Sequence, residues 1–228
     1  MNGGARLVRG RILTFNDDPA PAGAAAHAYT DDGAILVKNG RIEAAGEARE
    51  VFSDAPQDAA VDDHSGCLVM AGFIDAHIHY PQTRVIGSYG AQLLDWLHNY
   101  TFLEEQKFAD PAHCAEVAEF FLDELFRCGT TTALVYCTVH PESVDAFFTA
   151  AERRGARMIA GKTMMDRDAP EKLQDTTPRT TRHLGLSRSL RQVELRTAGG
   201  QDNAASSKPI QISNSTPISM ICALGILK

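Results

Sequence analysis

Residues 72–82 read GFIDAHIHYPQ, an apolar run that closes on two histidines two positions apart. In an extended strand, residues i and i+2 point to the same face. His77 and His79 would therefore project together from the strand's end, which is how a metal site collects two nitrogen ligands. Two unrelated surface histidines satisfy the same spacing, so the surrounding sequence has to decide.

Working outward, CLVMAGFIDAHIH (67–79) reads as one buried strand with the pair at its C-terminal end. QLLDWLHNYTFLEEQ (92–106) is helix-like. Asp110-Pro111 then offers an N-cap and a proline at the first helical position, and AHCAEVAEFFLDELFRC (112–128) runs to Gly129 as a stop. TTTALVYCTV (130–139) follows as a strand, PESVDAFFTAAERRG (141–155) as a helix and ARMIAGKTMM (156–165) as a third strand. Strand–helix alternation of this kind predicts a parallel α/β arrangement. In such folds, and above all in (β/α)8 barrels, active sites lie at the carboxyl ends of the strands. His77, His79, His140 and Lys162 with Asp166 all fall at or just after such ends.

The flanking regions differ in character. In residues 5–52 the runs RLVRGRILTF and GAILVKNGRIEAAGE alternate as strands do, and Asn39-Gly40 between two of them is a strong hairpin signal. A small antiparallel unit is expected, linked by the Ala/Pro/Gly-rich insert PAPAGAAAHAYTDDG (19–33), with His27 a loop residue and His64 a surface residue. Past about Asp175 the periodicity disappears. Residues 1–175 carry a net charge of −12 and residues 176–228 a net of +5. A Ser/Thr/Asn/Gly-rich stretch of that composition buries too little surface to order itself.

The overall net charge of −7 argues against a nucleic-acid or anionic-membrane surface, and the arginines of the basic tail lack aromatic interleaving. Cys67, Cys114, Cys128, Cys137 and Cys222 form an odd set without a C-x-x-C pair, which speaks against a disulfide framework or a zinc ribbon. The start MNGGARLVRGRIL lacks the apolar core of a signal peptide, and no apolar run reaches membrane-spanning length. A cytoplasmic location is expected.

The run VMAGFIDAHIHYPQ (69–82) resembles the first barrel strand of the amidohydrolase superfamily, in which a PGFIDxHxH-like segment supplies two metal-binding histidines; Ala71 stands where the family usually has proline. Three further stretches are more specific: GSYGAQLLDWLHNYTFLEEQKFAD (87–110), CGTTTALVYCTVHPESVDAFF (128–148) and GARMIAGKTMMDRDAP (155–170). Together they resemble the guanine deaminases of that superfamily over about residues 5–175. The resemblance implies zinc-dependent hydrolysis of guanine to xanthine and ammonia. Zinc would make water nucleophilic near neutral pH, and a glutamate would move protons to the leaving amine. It further implies His77 and His79 as zinc ligands and places His79, Tyr80, Pro81 and Gln82 beside the bound base. Gln82 carries a donor and an acceptor on one amide, suited to a purine edge. Trp96 and Leu94 become pocket-wall candidates, ordinary helix packing being the alternative for each. The small-molecule partner would be guanine, with no nucleic acid and no membrane, and the resemblance leaves room for a homodimer of the complete enzyme.

The family completes its site with two more histidines, an acid–base glutamate and a metal-binding aspartate from later strands. Beyond position 140 this sequence has one histidine, His183, in a stretch that does not resemble the family. The expectation is therefore a β-rich unit over 1–67 belonging to a composite β-sandwich, a barrel truncated to about three strands over 68–175, and an irregular, non-homologous tail over 176–228. In that reading no family catalytic residue is present. The alternative to a guanine-deaminase lineage is a non-catalytic fragment that folds only with a partner completing the barrel.

Several residues imitate functional motifs. His140-Pro141-Glu142 matches half of the cytidine-deaminase zinc signature but lacks its P-C-x-x-C, so His140 is read as facing the pocket mouth or capping the next helix. Lys162 resembles the bridging lysine of binuclear amidohydrolases, although its third-strand position favours a structural role. His98 and His113 fall on helices as surface or core residues, and Cys114, Cys128 and Cys137 suit core packing.

Overall fold

Asn39 and Gly40 adopt φ values of 51° and 73°, the pair of positive angles that a two-residue hairpin turn of the right twist requires. They join β2 (His27–Lys38) to β3 (Arg41–Glu47), both antiparallel neighbours in a sheet begun by β1 (Arg6–Phe15). A short helix α1 (Pro19–Ala22) and a 3-10 turn connect β1 to β2, helix α2 (Ala48–Asp54) follows β3, and β4 (Ala60–Ala71) runs parallel to β1. The structure, a computed structural model, describes residues 4–90, 92–165 and 167–174, together with two short strands at 184–186 and 224–227. The chain folds as two units, which divide between Gly72 and Phe73.

The first unit follows the pleat. Leu7 lies opposite Leu36 and Val8 opposite Ile35, so successive residues enter opposite faces. Leu7, Ala34 and Leu36 pack with Ala48 and Val51 of α2, whereas Val8, Ile12, Ile35 and Val69 form a separate cluster. The described residues of this unit form one sheet with one covering helix. The insert 19–33 is also more ordered than a linker. It contains α1, and His27 is the first residue of β2, paired with Phe15. His64 is half-buried on β4.

The second unit begins with β5 (Phe73–His79). The stretch expected as a single strand over 67–79 is thus two strands in two sheets, parted at Gly72. The apolar run continues across Gly72, from CLVMA into FI, so hydrophobicity does not mark the change of partner. The helix-like stretch is helical in segments: α3 (Leu93–Trp96), a π turn over Leu97–Thr101, α4 (Phe102–Glu105) and a 3-10 turn over Gln106–Ala109. Then come α5 (Pro111–Arg127), β6 (Thr130–Tyr136), α6 (Pro141–Arg153) and β7 (Arg157–Gly161). Strands β5, β6 and β7 are parallel neighbours, the βαβαβ order that the sequence predicts.

The helix ends behave as their chemistry dictates. The Asp110 carboxylate accepts from the Ala112 N–H at 3.0 Å with Pro111 behind it, and Gly129 follows α5 at φ 80°. Helices α5 and α6 bury Val117, Phe121, Leu122, Val144 and Phe147 with Ala133, Val135 and Met158 of the sheet. Tyr80 sits inside this core, its ring edge-on to Phe108 at 5.3 Å and near Phe147, and its hydroxyl donates to the Ser143 carbonyl at 2.6 Å.

Most of the stretch expected as an irregular tail lies outside the described residues. Two pieces of it are strands: β8 (Leu184–Leu186) pairs antiparallel with β7, and β9 (Leu224–Leu227) pairs antiparallel with β4. An unpaired strand edge is satisfied by any extended backbone that reaches it.

Asp110→Ala removes the α5 cap and should lower stability by about 1 kcal/mol in a urea titration. Tyr80→Phe keeps the ring but loses the buried hydrogen bond and should also lower stability, by roughly 1 kcal/mol. A Tyr80→Phe chain as stable as the parent would show that the hydroxyl contributes nothing to the core.

Candidate functional site

His77 and His79 end β5, and their Nε2 atoms lie 3.2 Å apart. Two nitrogens on a tetrahedral zinc, each at about 2.0–2.1 Å, would be separated by about 3.4 Å. The pair therefore has the bite that one metal ion needs. Its placement is set by sheet register: His79 lies opposite Tyr136, the last residue of β6, and both imidazoles rest on that phenol ring. The ring centroids are 4.6 Å from His77 and 4.8 Å from His79, the latter stacked at 14°. The Asp75 carboxylate accepts from the His77 backbone N–H at 2.9 Å, next to an irregularity in the β5–β6 ladder. Burial pushes the His79 pKa down, and the neighbouring His77 adds to the shift. Both effects favour the neutral imidazole that a metal requires.

The turn after β5 divides its residues by role. Tyr80 and Pro81 are buried, so the side chains of these two expected base contacts are packed inside the unit. Gln82 is half-buried, with its Nε2 3.5 Å from His79 Nδ1 and 3.3 Å from Glu105 Oε1, to which it donates. Glu105 is itself buried, which raises its pKa, while the Gln82 bond opposes that rise. Its neighbour Glu104 is also buried, and it lies within ion-pair distance of Lys107, of Arg84 at 3.9 Å and of His113 at 3.3 Å.

Other candidates are dispersed. Leu94 is 69% exposed, whereas Trp96 is half-buried against Gly90. His140 occupies the N-cap position of α6, but its side chain makes no capping bond; its Nε2 is buried without a hydrogen-bond partner, and burial lowers its pKa. Ser143 instead serves that turn, its hydroxyl donating to the His140 carbonyl at 2.7 Å. His98 is exposed and close to Phe102. Cys114 and Cys137 are buried as expected, with burial pushing the Cys114 thiol up to about 11. Cys128 is exposed, because it ends α5 just before Gly129 instead of facing the sheet. Asp166 and His183 lie outside the described residues. Among the described residues, no three His, Cys, Asp or Glu side chains gather as a metal cage.

Tyr136 and Glu105 are the site residues that sequence reasoning missed. Tyr136 depends on the β5–β6 register, and Glu105 on how a segmented helix packs against a turn. The juxtaposed acids of LEEQ were the available signal, since adjacent carboxylates are seldom both buried.

With this geometry, the likeness to known proteins has a physical basis. The sequence profile of the Amidohydrolase family matches residues 68–212, past the limit of about 175 drawn from the sequence alone. Guanine deaminase of Escherichia coli (strain K12) is 48% identical over 174 residues, covering 75% of this chain and 39% of that protein. The probable guanine deaminase of Deinococcus radiodurans is 36% identical over 177 residues, 76% of this chain and 40% of that protein. In structure, guanine deaminase from Bradyrhizobium japonicum superposes with a TM-score of 0.72 at 37% identity, over 76% of this chain and 38% of that one. The chain spans about two fifths of the length of the curated relatives it matches. Among the described residues, no helix is long and apolar enough to cross a membrane. A family profile matched over more than half of the residues, carried on parallel strands that end in a paired-histidine site, means that the chain belongs to the amidohydrolase family.

Proposed function

We propose that this chain carries the metal-facing front of a guanine deaminase, a cytoplasmic zinc hydrolase that converts guanine and water to xanthine and ammonia. The observation that carries the reading is the convergence of His77 and His79, Nε2 to Nε2 at 3.2 Å, at the carboxyl end of a parallel strand. The relatives named guanine deaminase supply the substrate, and the β5–β7 strands supply the first part of a (β/α)8 barrel. The division proposed with it is 1–67, 68–175 and 176–228.

His77 and His79 would hold the zinc, which would supply a Lewis acid that makes water nucleophilic near neutral pH. Gln82 would meet the base through its side-chain amide. Tyr136 supports both imidazoles from below, and Tyr80 and Pro81 anchor the turn on which Gln82 is carried. Replacing Gln82 by Ala in a complete site should raise KM for guanine more than replacing Lys162, by the equivalent of about 1–3 kcal/mol.

One observation favours a second reading, a non-catalytic chain. Catalytic zinc uses three protein ligands, and among the described residues no third donor joins the pair. General acid–base help, typically a factor of roughly 10^2 to 10^4, needs a glutamate at the reacting atoms. The purified 228-residue chain should therefore bind zinc weakly and release no ammonia from guanine. A zinc titration run beside an ammonia-release assay decides between the readings, with His77→Ala and His79→Ala as controls. Weak binding lost in both controls supports the metal reading; tight binding with turnover would give the chain a complete site, His183 being the first residue to test. Zinc binding unchanged in both controls would sink the assignment of the pair.

A further inference from the structure

Glu104 and Glu105 are neighbours in α4, and both are buried, at 5% and 6% exposed. Two adjacent acids seldom enter a protein interior together, because each loses its hydration. A π turn, Leu97–Thr101, immediately precedes them; such a turn takes an extra residue and re-aims the helix that follows. Both acids bear on one short element, the 3-10 turn Tyr80–Val85. Glu105 Oε1 accepts from Gln82 Nε2 at 3.3 Å, and Glu104 Oε1 lies 3.9 Å from Arg84 Nε. Glu104 has the Lys107 ammonium and the His113 ring beside it. For Glu105, the partner that opposes its burial is the neutral amide of Gln82. A buried acid spent on a neutral amide is a costly way to stabilise a fold, and an effective way to orient that amide.

We propose that Glu105 is a positioning residue for Gln82: its carboxylate holds the side-chain amide with the nitrogen turned inward, so that the carbonyl oxygen is presented to a bound purine. An ionised carboxylate only accepts, so it selects the amide's N–H2 end, and the oxygen is then turned away from it. The subsite so formed reads a donor, such as the amino group at C2 of a purine. Arg84, two residues further along the same turn, lies 3.9 Å from Glu104 and hydrogen-bonds Glu116 at 2.5 Å. The inference rests on the reading that Gln82 meets the base.

The test uses the full chain, with 2-aminopurine as a soluble, fluorescent purine bearing the C2 amino group. Its quenching is titrated in the parent and in Glu105→Ala, Glu105→Gln and Gln82→Ala, and the Gln82 side-chain amide is followed by 15N NMR. In the parent, one Gln82 amide proton should be shifted downfield and slow to exchange. Glu105→Ala should collapse that signature and weaken 2-aminopurine about tenfold, as Gln82→Ala does. Glu105→Gln fills the same space but is uncharged and can present its own N–H2 end, so it should keep only part of both, where a space-filling role predicts parent-like values. It also decides the matter if Glu105→Ala fails to fold. Parent-like amide signals and affinity in both Glu105 variants, with Gln82→Ala still weakened, would overturn the positioning role and leave the purine reading standing. No saturable quenching by the parent would sink the purine reading and this inference with it.

Discussion

Two imidazoles can share one ion only if a rigid backbone brings their nitrogens within a few ångströms on the same side. In this chain the pleat of β5 does so, placing His77 and His79 on one face, and the register with β6 lays Tyr136 beneath both rings. Everything else in the second unit serves that strand end. Helices α5 and α6 bury their apolar faces against the sheet and so hold β5, β6 and β7 in parallel register. A side chain at a strand's carboxyl end inherits the stiffness of the strand, whereas one placed on a free loop would not.

The turn after the strand shows how one short segment both anchors and presents. Tyr80 and Pro81 enter the core, where the Tyr80 hydroxyl finds the Ser143 carbonyl, while the flanking His79 and Gln82 remain half-buried. Burial at this place has opposite consequences for acid and base. It lowers the His79 pKa, and it raises that of Glu105, which the Gln82 amide partly offsets. Low dielectric surroundings penalise whichever form is charged, so the same packing favours the uncharged form of both side chains.

The relation to longer relatives follows from the same architecture. In parallel α/β folds, sites are distributed over the ends of several strands. The matched relatives are about two and a half times longer than the stretch they share with this chain, and the described residues gather two nitrogen donors without a third. The family profile reaches residue 212, and the curated relatives align with this chain over 174 and 177 residues.

Local chemistry was legible in the residues. The Asn39-Gly40 hairpin, the Asp110-Pro111 cap, the glycine after α5 and the order β5–α5–β6–α6–β7 each depend on interactions within a few positions, and each stands in the structure. The pairing of His77 with His79 was legible for the same reason, since a period of two is a property of one strand. What the tertiary structure alone decided was partnership across distance. The change of sheet at Gly72, the Tyr136 ring under the pair, the inward path of Tyr80 and the carboxylate of Glu105 behind Gln82 all join residues whose mutual position is set by register and helix docking. The sequence by itself determined which side chains a strand end would offer. Only packing, which acts between segments far apart in the chain, determined what stands behind them.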